Sequence, residues 1–241
     1  PRSTLFPYTT LFRSKQNFPF MAPFPKEWYM AMGMVKLACY NTYKKFSDAV
    51  VKKYGDSNQL ISLIPAHIAE AMAGAAEEMK QGLHFDHFIV PAISGGAGTS
   101  INMNINEIIA NRALEKLGYN PGKYDFVDPI EHANIFQSTN DVVPTALKVA
   151  LLKMLTELET SINQSRSRFE SLEKEHRNSM RIGYTEMQEA VPTTFGRLFS
   201  TYHGALSRDW WRVSKAWERI KMVNPGGSAI GTGITAPRYF I

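Results

Sequence analysis

The feature that most constrains the fold is a pair of long apolar stripes in the second half of the chain. Both repeat at steps of three and four residues, which is the spacing of one buried helix face. The first stripe is Leu147, Leu151, Met154, Leu158, Ile162, Ser165, Phe169 and Leu172. The second is Phe195, Leu198, Tyr202, Leu206, Val213, Trp217 and Ile220. Stripes of this length are typical of helix bundles and coiled coils, so we predict an all-α fold.

The first half of the chain predicts shorter helices. One begins near Lys26 and carries an apolar face at the same spacing. That face is Trp28, Met32, Val35, Cys39, Tyr43 and Phe46. Further helices are predicted from about Leu60 to Gln81 and from about Asn102 to Leu117. The apolar run from Phe88 to Ile93 predicts a short strand, and residues 119–137 are a polar connection.

These patterns suggest three segments. Residues 1–14 lack a helical or strand period, and we interpret them as a non-native leader. Residues 15–138 form a mainly helical N-terminal domain. Residues 139–241 form a partial helix-bundle domain, with a long helix from Asn140, a turn at Met180 to Pro192 and a second long helix from Thr193 to Val223. Because two long helices do not close a bundle, we expect this domain to be truncated.

Composition excludes several classes of protein. Of the 241 residues, 44% are hydrophobic and 20% are charged, which argues against disorder. No apolar run approaches the ~20 residues of a membrane span, so we expect no membrane association. The basic residues behind the net charge of +5 are scattered, so we expect no nucleic-acid partner. The single cysteine, Cys39, excludes an internal disulfide and a cysteine-based zinc site, and a cytoplasmic protein is the simplest interpretation.

Three segments are rich in small polar residues. They are GGAGTSINMNINE (Gly95 to Glu107), QSTND (Gln137 to Asp141) and GYTEMQEAVP (Gly183 to Pro192). Each could place hydroxyl and backbone N–H groups at a helix start, where unpaired donors attract carboxylate or phosphate. The alternative for each segment is ordinary N-capping, since Ser, Thr and Asn are the preferred caps.

Together the segments resemble the aspartase/fumarase superfamily. The resemblance rests on four blocks in a fixed order and extends from about Asn17 to Ile241. The blocks are GGAGTSINMNINEIIANRALEKLG, HANIFQSTNDVVPTALKVA, GYTEMQEAVPTTFG and GGSAIGTG. AGTS and QSTND are closer to the aspartate ammonia-lyase branch than to the fumarate hydratase branch.

The resemblance implies a helical homotetramer whose active sites lie where three subunits meet. It implies a lyase that eliminates ammonia from aspartate to give fumarate, with no cofactor and no metal. The substrate is then a small dicarboxylate or amino acid. A base removes a proton beside a carboxylate, and surrounding donors hold the resulting dianion.

The resemblance also assigns substrate-binding residues. These are Thr99 and Ser100 in the first segment, Ser138, Thr139 and Asn140 in the second, and Thr185 and Glu186 in the third. The position of Glu186 is His in many relatives and Gln in some aspartases, so the resemblance does not imply a His-based proton relay here. The base itself is expected beyond Ile241, so no catalytic residue is predicted within the chain, and the chain alone is predicted to be inactive.

Other functions remain open on the residues alone. Fumarate hydratase is the nearest alternative, and a non-catalytic oligomerisation scaffold of the same fold is another. GTGITA (Gly231 to Ala236) fits a dinucleotide-binding pattern but follows a predicted helix rather than a strand. His84, Asp86 and His87 lack a further ligand at helical spacing, which favours a surface turn over a metal site.

Overall fold

The computed structural model describes residues 24–55, 62–91, 96–234, 236–238 and 240. Within them the chain is mainly helical, and the predicted fold class is confirmed. The helices are α1 (Lys26–Tyr54), α2 (Ala66–Lys80), α3 (Thr99–Lys116), α4 (Thr139–Glu175) and α5 (Phe195–Ile220). The strands are β1 (Met180–Thr185) and β2 (Gln188–Thr194), and a 3-10 helix spans Phe85–His87. The predicted leader, residues 1–14, lies outside the described residues.

In the first half, one predicted helix start and one predicted strand are wrong, and α3 begins at Thr99, three residues before the predicted Asn102. The helix predicted from Leu60 begins only at Ala66, after Pro65. Proline disfavours the helical conformation in the residue before it, so Ile64 cannot extend the helix backwards. The strand predicted from Phe88 is not formed at Phe88 to Val90, and Pro91 makes only an isolated bridge. The end of that predicted strand, and Leu60 itself, lie outside the described residues.

The turn predicted at Met180 to Pro192 is a two-stranded antiparallel hairpin. Thr185 pairs with Gln188, so Glu186 and Met187 form a two-residue turn. Both have positive φ, 50° and 63°, as the turns favoured in tight hairpins require. Alternation of apolar residues along β1 was the signal for a strand. Helix α5 consequently begins at Phe195 rather than at Thr193, and the Thr194 side chain caps it by accepting from the Arg197 N–H at 3.2 Å.

The chain divides into two compact units. The first unit comprises the described residues up to Ala150 and those from Val223 onwards, and the second unit is Leu151–Met222. This division describes contacts within the chain, and the domain boundaries at 138/139 stay a prediction.

In the first unit, α2 packs against both α1 and α3. The predicted face of α1 is confirmed: four of its residues are buried, while Trp28 and Cys39 pack against the core from its edge. The buried ones are Met32, Val35, Tyr43 and Phe46. Helices α1 and α2 approach closely at Gly33, where an added Cβ would lie 2.5 Å from the Lys80 backbone nitrogen.

In the second unit, the later part of α4 pairs with α5. The Trp210 indole N–H donates to the Glu159 carboxylate at 2.8 Å, and the Phe169 and Tyr202 ring centroids lie 5.3 Å apart. The structure describes every residue of this unit, and only Ile162 and Gly196 are buried. The predicted apolar stripes therefore exist, but they are only partly covered within the chain.

Among the described residues, no helix is both long enough and apolar enough to cross a membrane.

Candidate active site

The starts of α3 and α4 lie together in the first unit. Helix α3 begins at Thr99 after Gly98, whose φ is 88°. A Cβ added at Gly98 would lie 3.0 Å from Val143 Cγ1 on α4, so the first turn of α3 packs directly on α4. Asn102 Nδ2 also lies 3.5 Å from Thr139 Oγ1. The structure therefore brings the first two polar segments into one site.

Helix α4 starts with a reciprocal capping arrangement. Ser138 Oγ accepts a hydrogen bond from the Asn140 backbone N–H at 3.2 Å. Asp141 Oδ2 accepts one from the Ser138 backbone N–H at 2.7 Å. This is the capping-box pattern, so the N-capping alternative for QSTND holds for Ser138. The Ser138 hydroxyl keeps its own hydrogen, which can still be donated to a ligand.

Asn140 contributes to the wall of an open cavity of about 510 Å³. Its side-chain Nδ2 donates to the Ala229 carbonyl oxygen at 2.7 Å. The cavity is lined by Asn140, Pro144, Asn224, Gly227, Ser228, Ala229, Ile230 and Gly231. An asparagine amide can make up to four hydrogen bonds, so other positions of Asn140 can serve a ligand. The glycine-rich segment thus meets the predicted substrate-binding triplet.

The predicted site residues in this unit differ in exposure. Thr99 and Asn140 are exposed, while Ser100, Ser138 and Thr139 are half-buried. All five stand at or next to the first turn of α3 or α4. Backbone N–H groups at a helix start lack intrahelical acceptors and carry a partial positive charge. This end of the first unit is therefore suited to a carboxylate.

A buried polar network supports these helix starts. Lys36 of α1 is 0% exposed, and its Nζ donates to Gln137 Oε1 at 2.9 Å and to Asn134 Oδ1 at 3.3 Å. Asn102 Nδ2 donates to the same Asn134 oxygen at 2.9 Å. Burial lowers the pKa of Lys36 to about 7, and the neighbouring Cys39 and Asp141 oppose that fall. A lysine is thus held beside the site with a pKa near neutrality.

Two buried amides of this network keep unused hydrogen-bonding positions. Among the described residues, Asn102 Oδ1 and Gln137 Nε2 have no hydrogen-bond partner. Buried polar atoms are usually paired, so these two atoms are exceptions. They leave one acceptor and one donor available close to the helix starts.

Sequence reasoning missed Lys36 and Asp141. The signal for Lys36 was present, because a lysine occurs four residues after Met32 on the apolar face of α1. A charged residue at a core position of a helix points to a buried polar site. The signal for Asp141 was its place three residues after Ser138, the capping-box spacing.

Glu107 is a second buried titratable group, on α3. It is 7% exposed, and burial raises its pKa to about 7. It lies one residue from Asn106, whose side-chain amide has no hydrogen-bond partner among the described residues.

The third predicted segment lies in the second unit. Thr185 ends β1 and Glu186 is in the hairpin turn, and both side chains are exposed. The site described above lies within the first unit. The substrate-binding roles of Thr185 and Glu186 therefore stay predictions.

His84, after α2, contacts a carboxylate in an ion-pair cluster. His84 Nε2 lies 2.9 Å from Glu78, which also accepts from Arg112 Nε at 2.6 Å. These contacts form an ion-pair cluster between α2 and α3. Across the described part of the chain, no group of three or more potential metal ligands occurs.

Comparison with known proteins gives consistent results. A family profile described as Lyase matches residues 30–241. Aspartate ammonia-lyase of Helicobacter pylori (strain ATCC 700392 / 26695) is 40% identical over 205 residues, covering 85% of this chain and 44% of that protein. The enzyme of that name from Bacillus subtilis (strain 168) is 40% identical over 79% of this chain and 41% of its own length.

The fold comparison agrees. The crystal structure of fumarate lyase:delta crystallin from Brucella melitensis has a TM-score of 0.81 and 34% identity over 95% of this chain and 47% of that chain. This chain thus spans less than half the length of each of these three relatives. The profile match and the structural similarity agree, and the chain belongs to the lyase family of the aspartase/fumarase superfamily.

Proposed function

We propose that the site at the starts of α3 and α4 binds the substrate of a carbon–nitrogen lyase that eliminates ammonia from aspartate to give fumarate. The observation that carries this proposal is the 40% identity to aspartate ammonia-lyases, which extends over 85% of the chain. The geometry supports it, because Asn140 and the glycine-rich segment line one cavity and the start of α3 packs on α4 beside it.

The site suits a substrate with a carboxylate and an ammonium group. Thr99, Ser138 and Thr139 offer hydroxyl donors at the starts of α3 and α4, where the partial positive charge of a helix start favours a carboxylate. Asn140 Oδ1 is an acceptor and can take a hydrogen bond from an ammonium group. A hydroxyl leaving group can accept as well as donate, so Asn140 Oδ1 favours the amine of aspartate without excluding malate.

In the proposed reaction a base removes a proton from the carbon beside one carboxylate. The electron pair of that C–H bond moves onto the adjacent carboxylate and then forms the carbon–carbon double bond, as ammonia leaves with the electrons of the C–N bond. Donors at the helix starts stabilise the carboxylate that carries the extra charge, and they act most strongly in the transition state. The residues named here bind and orient the substrate.

The proposal includes three further expectations from the sequence. The protein is a homotetramer, it is cytoplasmic, and Thr185 and Glu186 meet substrate across a subunit interface. A carboxylate at Glu186 attracts an ammonium group and repels a second carboxylate, so it would favour aspartate over malate. The partly covered apolar stripes of the second unit support assembly, since large exposed apolar surfaces are association sites.

Binding of small dicarboxylates tests the substrate site. Isothermal calorimetry of the chain with aspartate, fumarate and malate is expected to show binding. Asn140→Ala should weaken it by roughly tenfold, the loss of one hydrogen bond to a charged group. Asn120→Ala is the matched control, because Asn120 is also an exposed asparagine but lies in the connection after α3 rather than at the start of α4.

The outcomes separate the candidate functions. Equal loss in both variants, or no binding by the unmodified chain, contradicts the proposed site. In the same calorimetric assay, binding of malate and not of aspartate would favour a hydratase over an ammonia-lyase.

A further inference from the structure

Asp141 joins two distant parts of the first unit. It is 3% exposed, and each carboxylate oxygen accepts a backbone hydrogen bond. Oδ2 accepts from the Ser138 N–H at 2.7 Å, and Oδ1 accepts from the Ser228 N–H at 2.9 Å. The first bond is an ordinary capping-box contact, but the second reaches a loop 87 residues away in sequence. A helix cap alone would not require that second bond.

The loop held by Asp141 carries one wall of the cavity. Ser228 adopts a left-handed conformation with φ 57°, which is uncommon for a residue with a side chain. Its hydroxyl accepts from the Ala229 N–H at 2.6 Å, and Gly227 O accepts from the Gly233 N–H at 3.0 Å. The bond to Asp141 therefore holds the loop at the residue with this uncommon conformation.

The same loop sets the direction of the Asn140 amide. Ala229 follows Ser228, and its carbonyl oxygen accepts from Asn140 Nδ2 at 2.7 Å. An asparagine amide can otherwise rotate and exchange its donor and acceptor ends. With Nδ2 fixed on the Ala229 carbonyl, the acceptor end of the amide is fixed as well.

We propose that Asp141 is a positioning residue: its buried carboxylate clamps the loop around Ser228 to the start of α4 and thereby fixes the amide orientation of Asn140 at the cavity. Hydrogen bonds from N–H groups to a carboxylate are stronger than neutral ones, so Asp141 can hold the Ser228 loop firmly against the start of α4. The expected ligand is a small amino acid or dicarboxylate, and this part of the inference rests on the proposed function.

The test compares two aspartates that each bind two backbone N–H groups. Asp141→Asn keeps the size of the side chain but directs an amide donor at one of the two N–H groups. Asp128→Asn is the control, because Asp128 Oδ1 accepts from the Ile130 and Glu131 N–H groups at 2.6 and 2.8 Å and lines no part of the cavity. Asp141→Ser keeps one acceptor oxygen and replaces Asp141→Asn if circular dichroism shows that variant to be unfolded.

Two measurements are made on each variant. NMR without any ligand follows amide hydrogen exchange, which reports whether the Ser228 loop is held in place. It also follows the Asn140 side-chain NH2 resonances, which report the orientation of that amide. Calorimetry with aspartate and fumarate reports the site. We expect faster exchange at Ser228 and Ala229, a shifted Asn140 resonance and roughly tenfold or greater loss of affinity in Asp141→Asn alone.

Each result decides the inference. Unchanged exchange and an unchanged Asn140 resonance in Asp141→Asn overturn the clamp. Altered exchange with unaltered affinity overturns the positioning role, as does an equal loss of affinity in Asp128→Asn. If the unmodified chain binds neither ligand, the proposed function fails, while exchange and the Asn140 resonance still decide whether Asp141 fixes the amide.

Discussion

The two units of the chain obtain their stability in different ways. The first unit holds every one of the largest fully buried side chains, including three tyrosines and Lys36. The second unit buries only Ile162 and Gly196, while Met154, Leu158 and Trp211 remain between 47% and 58% exposed. Extensive apolar burial in the first unit can offset the free-energy cost of burying Lys36. The second unit buries too little apolar surface to offset such a cost. The polar site therefore belongs where apolar burial is greatest.

The largest expected contrast is between two leucine-to-alanine substitutions, one in each unit. Leu114 is 0% exposed in the first unit, and Leu158 is 47% exposed in the second. Leu114→Ala should lower the free energy of unfolding by about 2–5 kcal/mol through lost burial and a cavity. In the monomeric chain, Leu158→Ala should change it by about 0.5 kcal/mol or less, as for exposed sites. Urea unfolding of both variants measures the difference, and equal losses would remove the contrast between the units.

The next effect is the pH dependence of the first unit. Lys36 has a folded-state pKa of about 7 against 10.5 ordinarily, so between these values the unfolded chain binds the extra proton. The free energy of unfolding should therefore rise with pH from 7 towards 9, by at most about 1.4 kcal/mol per pH unit. Lys36→Met should flatten this rise, whereas Lys153→Met in the second unit should retain it.

Glu107 should make the free energy of unfolding depend on pH below 7. Its folded-state pKa of about 7 exceeds the ordinary 4.5, so here the folded chain binds the extra proton. Stability should fall as pH rises from 4.5 to 7, and Glu107→Gln should remove that fall. Equilibrium unfolding across pH 4.5–8.5 tests both residues, and this upper limit lies below the range in which Cys39 and the buried tyrosines lose their protons. A profile that is flat in the unmodified chain would contradict both assignments.

Smaller effects are expected at two helical glycines. A Cβ at Gly33 would lie 2.8 Å from Met79 Cβ, but at Gly204 the nearest atom is Arg208 Nη1 at 3.7 Å. Gly33→Ala should therefore destabilise the chain by about 1–3 kcal/mol through overpacking. Gly204→Ala should stabilise it by roughly 0.5–1 kcal/mol, the gain in helix propensity. Thermal unfolding measures both, and a stabilising Gly33→Ala would show that α1 and α2 have room to separate.

The smallest effect concerns the hairpin of the second unit. Met187 is 100% exposed with φ 63°, a conformation that costs a side-chain-bearing residue energy and glycine little. Met187→Gly should stabilise the hairpin by about 1 kcal/mol. Met180→Gly, at the exposed start of β1, is the control and should not stabilise it. Exchange protection of the strand amides is the measurement, and lower protection in Met187→Gly would contradict the turn geometry.

Helices and the first two site segments could be predicted from sequence because their signals are local. The face of α1 and the stripes of α4 and α5 follow from spacing, and the Ser138–Asn140 segment from a short motif. The bond from Asp141 to Ser228 could not be predicted, because it joins residues 87 positions apart through a backbone N–H that leaves no mark in the sequence. Lys36 was overlooked for a different reason, since a single lysine does not disturb the periodicity of an apolar face.

Lys36 and Glu107 also have a calorimetric consequence. Unfolding at pH 8.5 should take up close to one proton at Lys36, and unfolding at pH 5.5 should release close to one from Glu107. Near pH 7 the two exchanges cancel. The heat of unfolding should therefore depend on the ionisation enthalpy of the buffer with opposite sign on the two sides of neutrality, and a change between phosphate and Tris should leave it nearly unaltered only around pH 7.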